Sequence, residues 1–281
     1  MTTGVFLAVL LAALLHATWN AFVKGGEDKH RAMFAVVMGH VPFSLAALAI
    51  FDLPLAQSWP WMAATIFFHV GYDLFLLSAY RVGDLSHVYP IARGTGPLVV
   101  AIVSMTWLGA TLLPLEIAAI ALIVAGLLSL ALVRGRDGSR NAKAARLAVA
   151  TGLFIAGYSI ADGMGARASG SAVGFLAVAS IIASFVFAGV SFVMRPDILR
   201  GWNGRDWRLG ALGGGGSFVA YAIVVWAFTQ APIALVTALR ETSVVFALLI
   251  GVLVFRERLD LAKVAATAVT LCGAVLLRLA R

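Results

Sequence analysis

Two arginines and three carboxylates lie inside long apolar runs of this 281-residue chain, together with a few amide, indole and phenol groups. They are Arg93 and Arg240, then Asp73, Asp162 and Glu241, then Asn20, Trp19, Tyr72, Tyr89 and Tyr158, with His16, His40, His69 and His87 among them. A charge in the middle of a lipid-embedded helix costs roughly 2.5–3.5 kcal/mol on insertion scales, so such a residue faces a partner, a cavity or a solute. Paired guanidinium groups suit a carboxylate or phosphonate-like anion, which they grip through parallel N–H···O bonds. The competing readings are an internal ion pair, with Arg240 on Asp73 or Asp162 and Arg93 on another acid, and a gating pair. Asp73, Asp162 and Glu241 are candidates for coupling or gating, because burial and a neighbouring guanidinium pull a carboxyl's proton affinity in opposite directions. They could equally be permanently ionised partners of arginine. Glu241 follows Arg240 directly, and consecutive residues point about 100° apart on a helix, which favours separate roles.

Trp19, Asn20, Tyr72, Tyr89 and Tyr158 could line a site for an organic solute. Trp and Tyr also mark membrane interfaces, which is the reading for Trp59 and Trp61. None of the four membrane histidines has a His-x-x-x-His or Glu-x-x-His spacing, so no metal site is expected. No glycine-rich phosphate loop with its lysine occurs, so neither a nucleotide cofactor nor ATP as a driver is expected. The lone cysteine, Cys272, allows no disulfide within one chain.

The elements that position these residues follow from composition. The chain is 62% hydrophobic and 12% charged, about half the charged fraction of a soluble domain. Lipid must therefore be the solvent for much of its surface. The net charge of +8 sits in short clusters between apolar runs, not on one continuous basic face, which argues against a nucleic-acid partner. Ten segments reach the roughly 20 apolar residues a spanning helix needs: about 4–23, 32–51, 59–80, 86–107, 112–134, 146–166, 172–194, 208–229, 232–254 and 261–279. The first has no basic stretch before it and is too long for a signal-peptide core, so it reads as a retained helix.

The links after the odd-numbered segments hold 16 Lys and Arg, among them Lys24, Arg134, Arg136, Arg140 and Arg258; the other side holds only Arg167, Arg278 and Arg281. The positive-inside rule then puts the odd links in the cytoplasm and both termini outside, in the periplasm of a bacterial inner membrane. Shifting 85–134 by 147 positions lays it on 232–281: Arg93 meets Arg240, Thr95 meets Thr242, and Gly126 meets Gly273. A looser match at a shift near 142 sets Asn20 against Asp162. Five helices per repeat is an odd number, so the second repeat enters the membrane from the opposite side, as the loop charges require. The expected fold is an all-α membrane protein of ten transmembrane helices, arranged as two inverted five-helix repeats around a central cavity. Residues 1–134 form the first repeat, 135–145 the connecting loop and 146–281 the second repeat.

Certain stretches carry a resemblance. The first segment reads His16-Ala17-Thr18-Trp19-Asn20-Ala21-Phe22-Val23-Lys24, and the fourth reads Tyr89-Pro90-Ile91-Ala92-Arg93-Gly94-Thr95-Gly96-Pro97. The ninth opens on Ala231-Pro232-Ile233-Ala234, continues Ala238-Leu239-Arg240-Glu241-Thr242-Ser243 and runs on to Phe255-Arg256-Glu257-Arg258-Leu259, with Gly273 in the tenth. The chain resembles the EamA-type branch of the drug/metabolite transporter superfamily over nearly its whole length. The resemblance implies a secondary transporter, permease or exporter rather than an enzyme. It would move a small metabolite, such as an amino acid or organic anion, by alternating access, with proton or counter-solute coupling and the lipid bilayer as its other partner. One departure stands out: Gly109-Ala110-Thr111-Leu112 aligns with Arg256-Glu257-Arg258-Leu259, so Ala110 replaces the expected acid. The alternative reading, an integral membrane enzyme acting on a lipid-linked substrate, would need clustered acids or histidines at one membrane surface, which the links do not carry. A passive channel would favour a polar stripe along one helix. Oligomeric state is not encoded in any of these features.

Overall fold

The computed structural model describes residues 1–23, 28–83, 85–132, 142–254, 256 and 261–280. Lys24, Arg134, Arg136, Arg140, Arg258 and Arg281 of the charge count lie outside the described residues, as do the side chain of His87, the Glu257 link and residues 135–141 of the expected loop. Among the described residues the regular structure is helical: α1 Thr3–Val23, α2 Lys29–Leu48, α3 Trp59–Val82, α4 Leu85–Thr106, α5 Pro114–Leu132, α6 Ala142–Ala168, α7 Ala172–Met194, α8 Gly204–Arg208, α9 Gly215–Gln230, α10 Ile233–Arg240, α11 Ser243–Leu253 and α12 Leu261–Leu279. A six-residue π-helical stretch, Leu209–Gly214, joins α8 to α9, so Gly204–Gln230 reads as one span. Among the described residues nine helical spans are long and apolar enough to cross a membrane, and the described part of α5, Pro114–Leu130, is apolar but shorter. The protein is a multi-pass membrane protein.

Local signals start these helices where the sequence permits. The Asp28 carboxylate accepts from the Arg31 N–H at 3.0 Å above α2, and the Ser171 hydroxyl accepts from Gly174 N–H at 3.2 Å above α7. Asn203 and Asp206 form a reciprocal capping box on α8. Outward faces carry Leu7, Leu11, Phe67, Phe185, Val193, Leu212 and Leu261 in exposed positions, as lipid solvation allows. The largest buried cluster runs through α1, α4, α5, α9, α10 and α12, with Val9, Val100, Ile123, Leu127, Phe228 and Leu239 at its heart.

The two repeats meet symmetrically. Helix α5 packs along α12, α3 along α6, α1 along α9 and α2 along α7. At the α5–α12 seam, a Cβ on Gly126 would stand 2.8 Å from the Ala266 carbonyl and 2.4 Å from Thr270 Oγ1. A Cβ on Gly273 would stand 2.8 Å from the Ala119 carbonyl and 2.7 Å from Ile123. These six positions form three pairs related by the 147-residue shift, so each repeat offers the other the same contact, as an isologous two-fold interface must. Gly39 likewise lies against Gly210 and Gly214, where a side chain would collide with backbone. The small-residue spacing of Gly210 and Gly214 thus serves packing within the chain.

Three differences from expectation stand out. Helix α6 begins at Ala142, so residues 142–145 of the expected connecting loop 135–145 are helical. The eighth helix begins before residue 208, because the Asn203 cap starts it at Gly204. The ninth, expected as one helix over 232–254, is two: α10 ends at Arg240 and α11 begins at Ser243. Between them Glu241 and Thr242 stay near helical angles but bond three residues back, Glu241 N–H to Ala238 and Thr242 N–H to Leu239, a tightening of the coil that hydropathy does not reveal.

The ends of the bundle are distinguishable. Arg278 donates to the Thr3 hydroxyl at 2.9 Å, and Leu55 N–H donates to the Ser169 carbonyl at 2.9 Å. Both termini and the α2–α3 and α6–α7 links therefore share one end, the terminal end. The starts of α2, α4 and α6 and the end of α7 form the other, basic end.

Candidate functional site

The interior charges gather where α4 meets the α10–α11 break. Arg93 sits between Pro90 and Pro97 in α4; each proline removes a helix hydrogen bond and loosens the local coil. Arg93 is 5% exposed and Glu241 fully buried, and Arg93 Nε lies 2.7 Å from Glu241 Oε2. The pair is an ion pair by distance, although the N–H is not aligned for a hydrogen bond. Arg93 Nη2 donates to the Ser243 hydroxyl at 3.1 Å, and its guanidinium stands 5.7 Å from the Tyr89 ring. Both polar partners of Arg93 therefore come from the helix break of the opposite repeat.

Arg240, 4% exposed, has a different environment. Its Nη2 donates to the Tyr158 hydroxyl at 3.3 Å, and its guanidinium lies 5.8 Å from the Tyr158 ring and 5.6 Å from the Tyr221 ring. Its Nε has no hydrogen-bond partner. Among the described residues no carboxylate lies within ion-pair reach of it. A buried charge left without a counter-charge carries a desolvation penalty of several kcal/mol.

Asp162 forms a third centre on α6. The Thr65 hydroxyl donates to Oδ1, the Tyr221 hydroxyl donates to Oδ2, and His69 Nε2 lies 2.9 Å from Oδ2. The His69 ring stacks on Tyr158 with centroids 4.3 Å apart, and Tyr72 meets Tyr158 edge-on at 5.6 Å. Tyr158 and Tyr221 thus stand between the Asp162 centre and Arg240.

Residues 142–279 match the EamA-like transporter family. The chain carries an EamA-like transporter domain. No curated protein matches it. One solved crystal structure of a protein aligns over 99% of this chain and 99% of that one, with a TM-score of 0.79 at 21% identity, a likeness of fold.

In the structure, Arg93, Glu241 and Tyr89 come together, as do Arg240, Tyr158 and Tyr72. The ion pairs proposed for Arg240 with Asp73 or Asp162 do not form. Asn20 bonds back to the His16 carbonyl at 2.7 Å, and Trp19 meets the His16 ring edge-on at 5.3 Å with its Nε1 buried and unpartnered. Asp73 makes no ion pair among the described residues. Tyr221, Thr65 and Ser243 were missed, since a lone hydroxyl in an apolar helix gives no signal; Ser243 had one, in following Arg240 and Glu241.

Cavities lie at both ends of the bundle. At the basic end a cleft of about 600 Å³ is lined by Asp28, Lys29, His30, Leu77, Tyr80, Arg81 and Arg195. Arg195 pairs with Asp28 across the α2 and α7 ends, and His30 Nε2 lies 3.2 Å from the Ser191 hydroxyl. Partial burial pushes the Asp28 carboxyl up, but the Arg31 N–H and the Arg195 guanidinium outweigh it and hold Asp28 below its usual range. At the terminal end a cavity of about 370 Å³ is lined by Ala166, Arg167, Gly170, Ala172, Trp226 and Thr229. There Arg167 donates to the Phe228 and Ala231 carbonyls at 2.8 and 2.9 Å, capping α9.

Proposed function

We propose that this protein is a secondary transporter that moves a small metabolite across a bacterial inner membrane by alternating access, and that it is not an enzyme. The observation that carries the reading is the Arg93–Glu241 pair at the tightened turn between α10 and α11. Discontinuous helices at a repeat interface are where inverted-repeat transporters place solute sites. A charge pair spanning the two repeats gives the bundle a contact that rocking makes and breaks, so a solute or proton binding one arrangement better shifts the population.

The repeats comprise residues 1–134 and 146–281, joined by 135–145. Arg240, Tyr72, Tyr89 and Tyr158 contact solute, with Trp19 and Asn20 on the α1 side, and Arg93 gates through its pair with Glu241 rather than touching solute. Asp73, Asp162 and Glu241 couple or gate, by protonation or by exchange with a second solute. The basic end faces the cytoplasm, and its cleft is the entrance from that side; both termini face the periplasm.

The test is uptake into proteoliposomes. Saturable accumulation that follows an imposed proton or counter-solute gradient is expected. Chemical conversion of the solute, or flux that never saturates, overturns the proposal.

A further inference from the structure

We infer that the chain holds one anion site, centred on Arg240 and walled by the Tyr158 and Tyr221 rings, for a solute bearing a carboxylate or phosphoryl group, and that Arg93 takes no part in it. This deepens the preceding reading, on which it rests for the solute's being cargo.

The argument is one of broken symmetry. Arg93 and Arg240 are equivalent under the 147-residue shift, but their surroundings are not. The partners of Arg93 are Glu241 and Ser243. The equivalent positions in α4 are Gly94 and Gly96, which offer no side chain. Nor is there room for one: a Cβ at Gly94 would stand 2.7 Å from the Leu128 side chain, and at Gly96 2.6 Å from Ile155. Arg93 is therefore neutralised from the opposite repeat, and Arg240 is not.

The other two buried acids do not substitute: Glu116 lies at the start of α5, where it accepts from the Leu113 N–H at 2.9 Å. Asp162 already receives Thr65, His69 and Tyr221. Arg240 is left 4% exposed, with an unpartnered Nε and one neutral hydroxyl at 3.3 Å. One turn before it on α10, the buried Thr237 hydroxyl also lacks a partner. A guanidinium with a free donor edge, aromatic walls and a spare hydroxyl is suited to a planar or tetrahedral oxyanion. The cleft at the basic end has the same sign: Lys29, Arg81 and Arg195 line it, and its one acid, Asp28, is held by Arg195. Such a rim concentrates anions at the mouth.

The experiment is thermal unfolding of the purified full-length protein in detergent at constant ionic strength, titrated with acetate, succinate or inorganic phosphate, and with uncharged succinamide as control. At least one anion is expected to raise the melting temperature saturably while succinamide does not; the arm that responds distinguishes carboxylate from phosphoryl recognition. Arg240→Gln is expected to weaken the responding anion by about 10- to 100-fold, the worth of a hydrogen bond to a charged group. The double variant Arg93→Gln/Glu241→Gln, which removes the other pair as a neutral unit, keeps the response. Should Arg240→Gln not fold, Arg240→Lys, which keeps the charge and loses the fork, is expected to bind measurably but more weakly than the native chain. No response to any anion, an unchanged response in Arg240→Gln or Arg240→Lys, or equal loss in the double variant overturns the site. The transport proposal is separable. Gradient-driven accumulation without anion binding sinks the site alone, and anion binding through Arg240 without accumulation of the responding anion sinks the transporter reading alone.

Discussion

Removing the Glu241 charge strands Arg93, and that asymmetry makes the pair measurable. Glu241→Gln leaves a buried guanidinium without its counter-charge, and breaking a buried ion pair in this way costs about 3–5 kcal/mol. Arg93→Gln/Glu241→Gln removes both charges and is expected to cost much less; unfolding of the native, single and double variants in detergent gives the cycle. Asp28 behaves differently. Its carboxyl is held below the usual range, so its contribution to stability is present above the ordinary value and is lost only as pH falls through the lowered one. The melting-temperature gap between native protein and Asp28→Asn is therefore expected to stay flat from about pH 5 to 8 and to close below about pH 4. The charges of the candidate site were legible because lipid makes a charge conspicuous. Their pairing was not, because Arg93 and Glu241 lie 148 positions apart and only the packing of α4 against α10 brings them together. Tyr221 and Thr65 were illegible for a simpler reason: a hydroxyl costs little in a helix that can satisfy it locally.

At the scale of elements, the α5–α12 seam offers a test that the inverted repeat alone makes. Gly126 and Gly273 occupy equivalent places, each against a carbonyl of the facing helix. Gly126→Leu and Gly273→Leu are each expected to destabilise the bundle by about 1–3 kcal/mol through overpacking, and by similar amounts. Melting curves that respond to one substitution and ignore the other would speak against an equivalent seam. The spans themselves were readable from hydropathy to within a few residues, since lipid demands long apolar runs and internally bonded backbone. The break after Arg240 was not readable. Glu241 and Thr242 keep helical angles, and the difference lies in which carbonyl each N–H chooses, a matter settled by the packing around the buried charges.

For the molecule as a whole, both chain ends lie together, tied by Arg278 and Thr3. If the lysine and arginine bias sets orientation, a reporter fused after Arg281 is expected to be active only when it is one that works in the periplasm; activity of a cytoplasm-only reporter there would reverse the topology. The duplication was visible in the sequence as Arg93 over Arg240 and Gly126 over Gly273. Its consequence, a seam in which each half presents the same face to the other, needed coordinates. The position of the cavities needed them too, since hydropathy says which residues are inside and nothing about where the inside is hollow.

The mismatch between Glu241 and Gly94 bears on energetics beyond binding. A perfectly mirrored duplicate would hold its two openings at equal free energy, and only the gradient would tell import from export. A single carboxylate, present on one side of the pseudo-dyad and absent from the other, lifts that degeneracy. On the transport proposal, the molecule then has a resting state of its own before any cargo arrives.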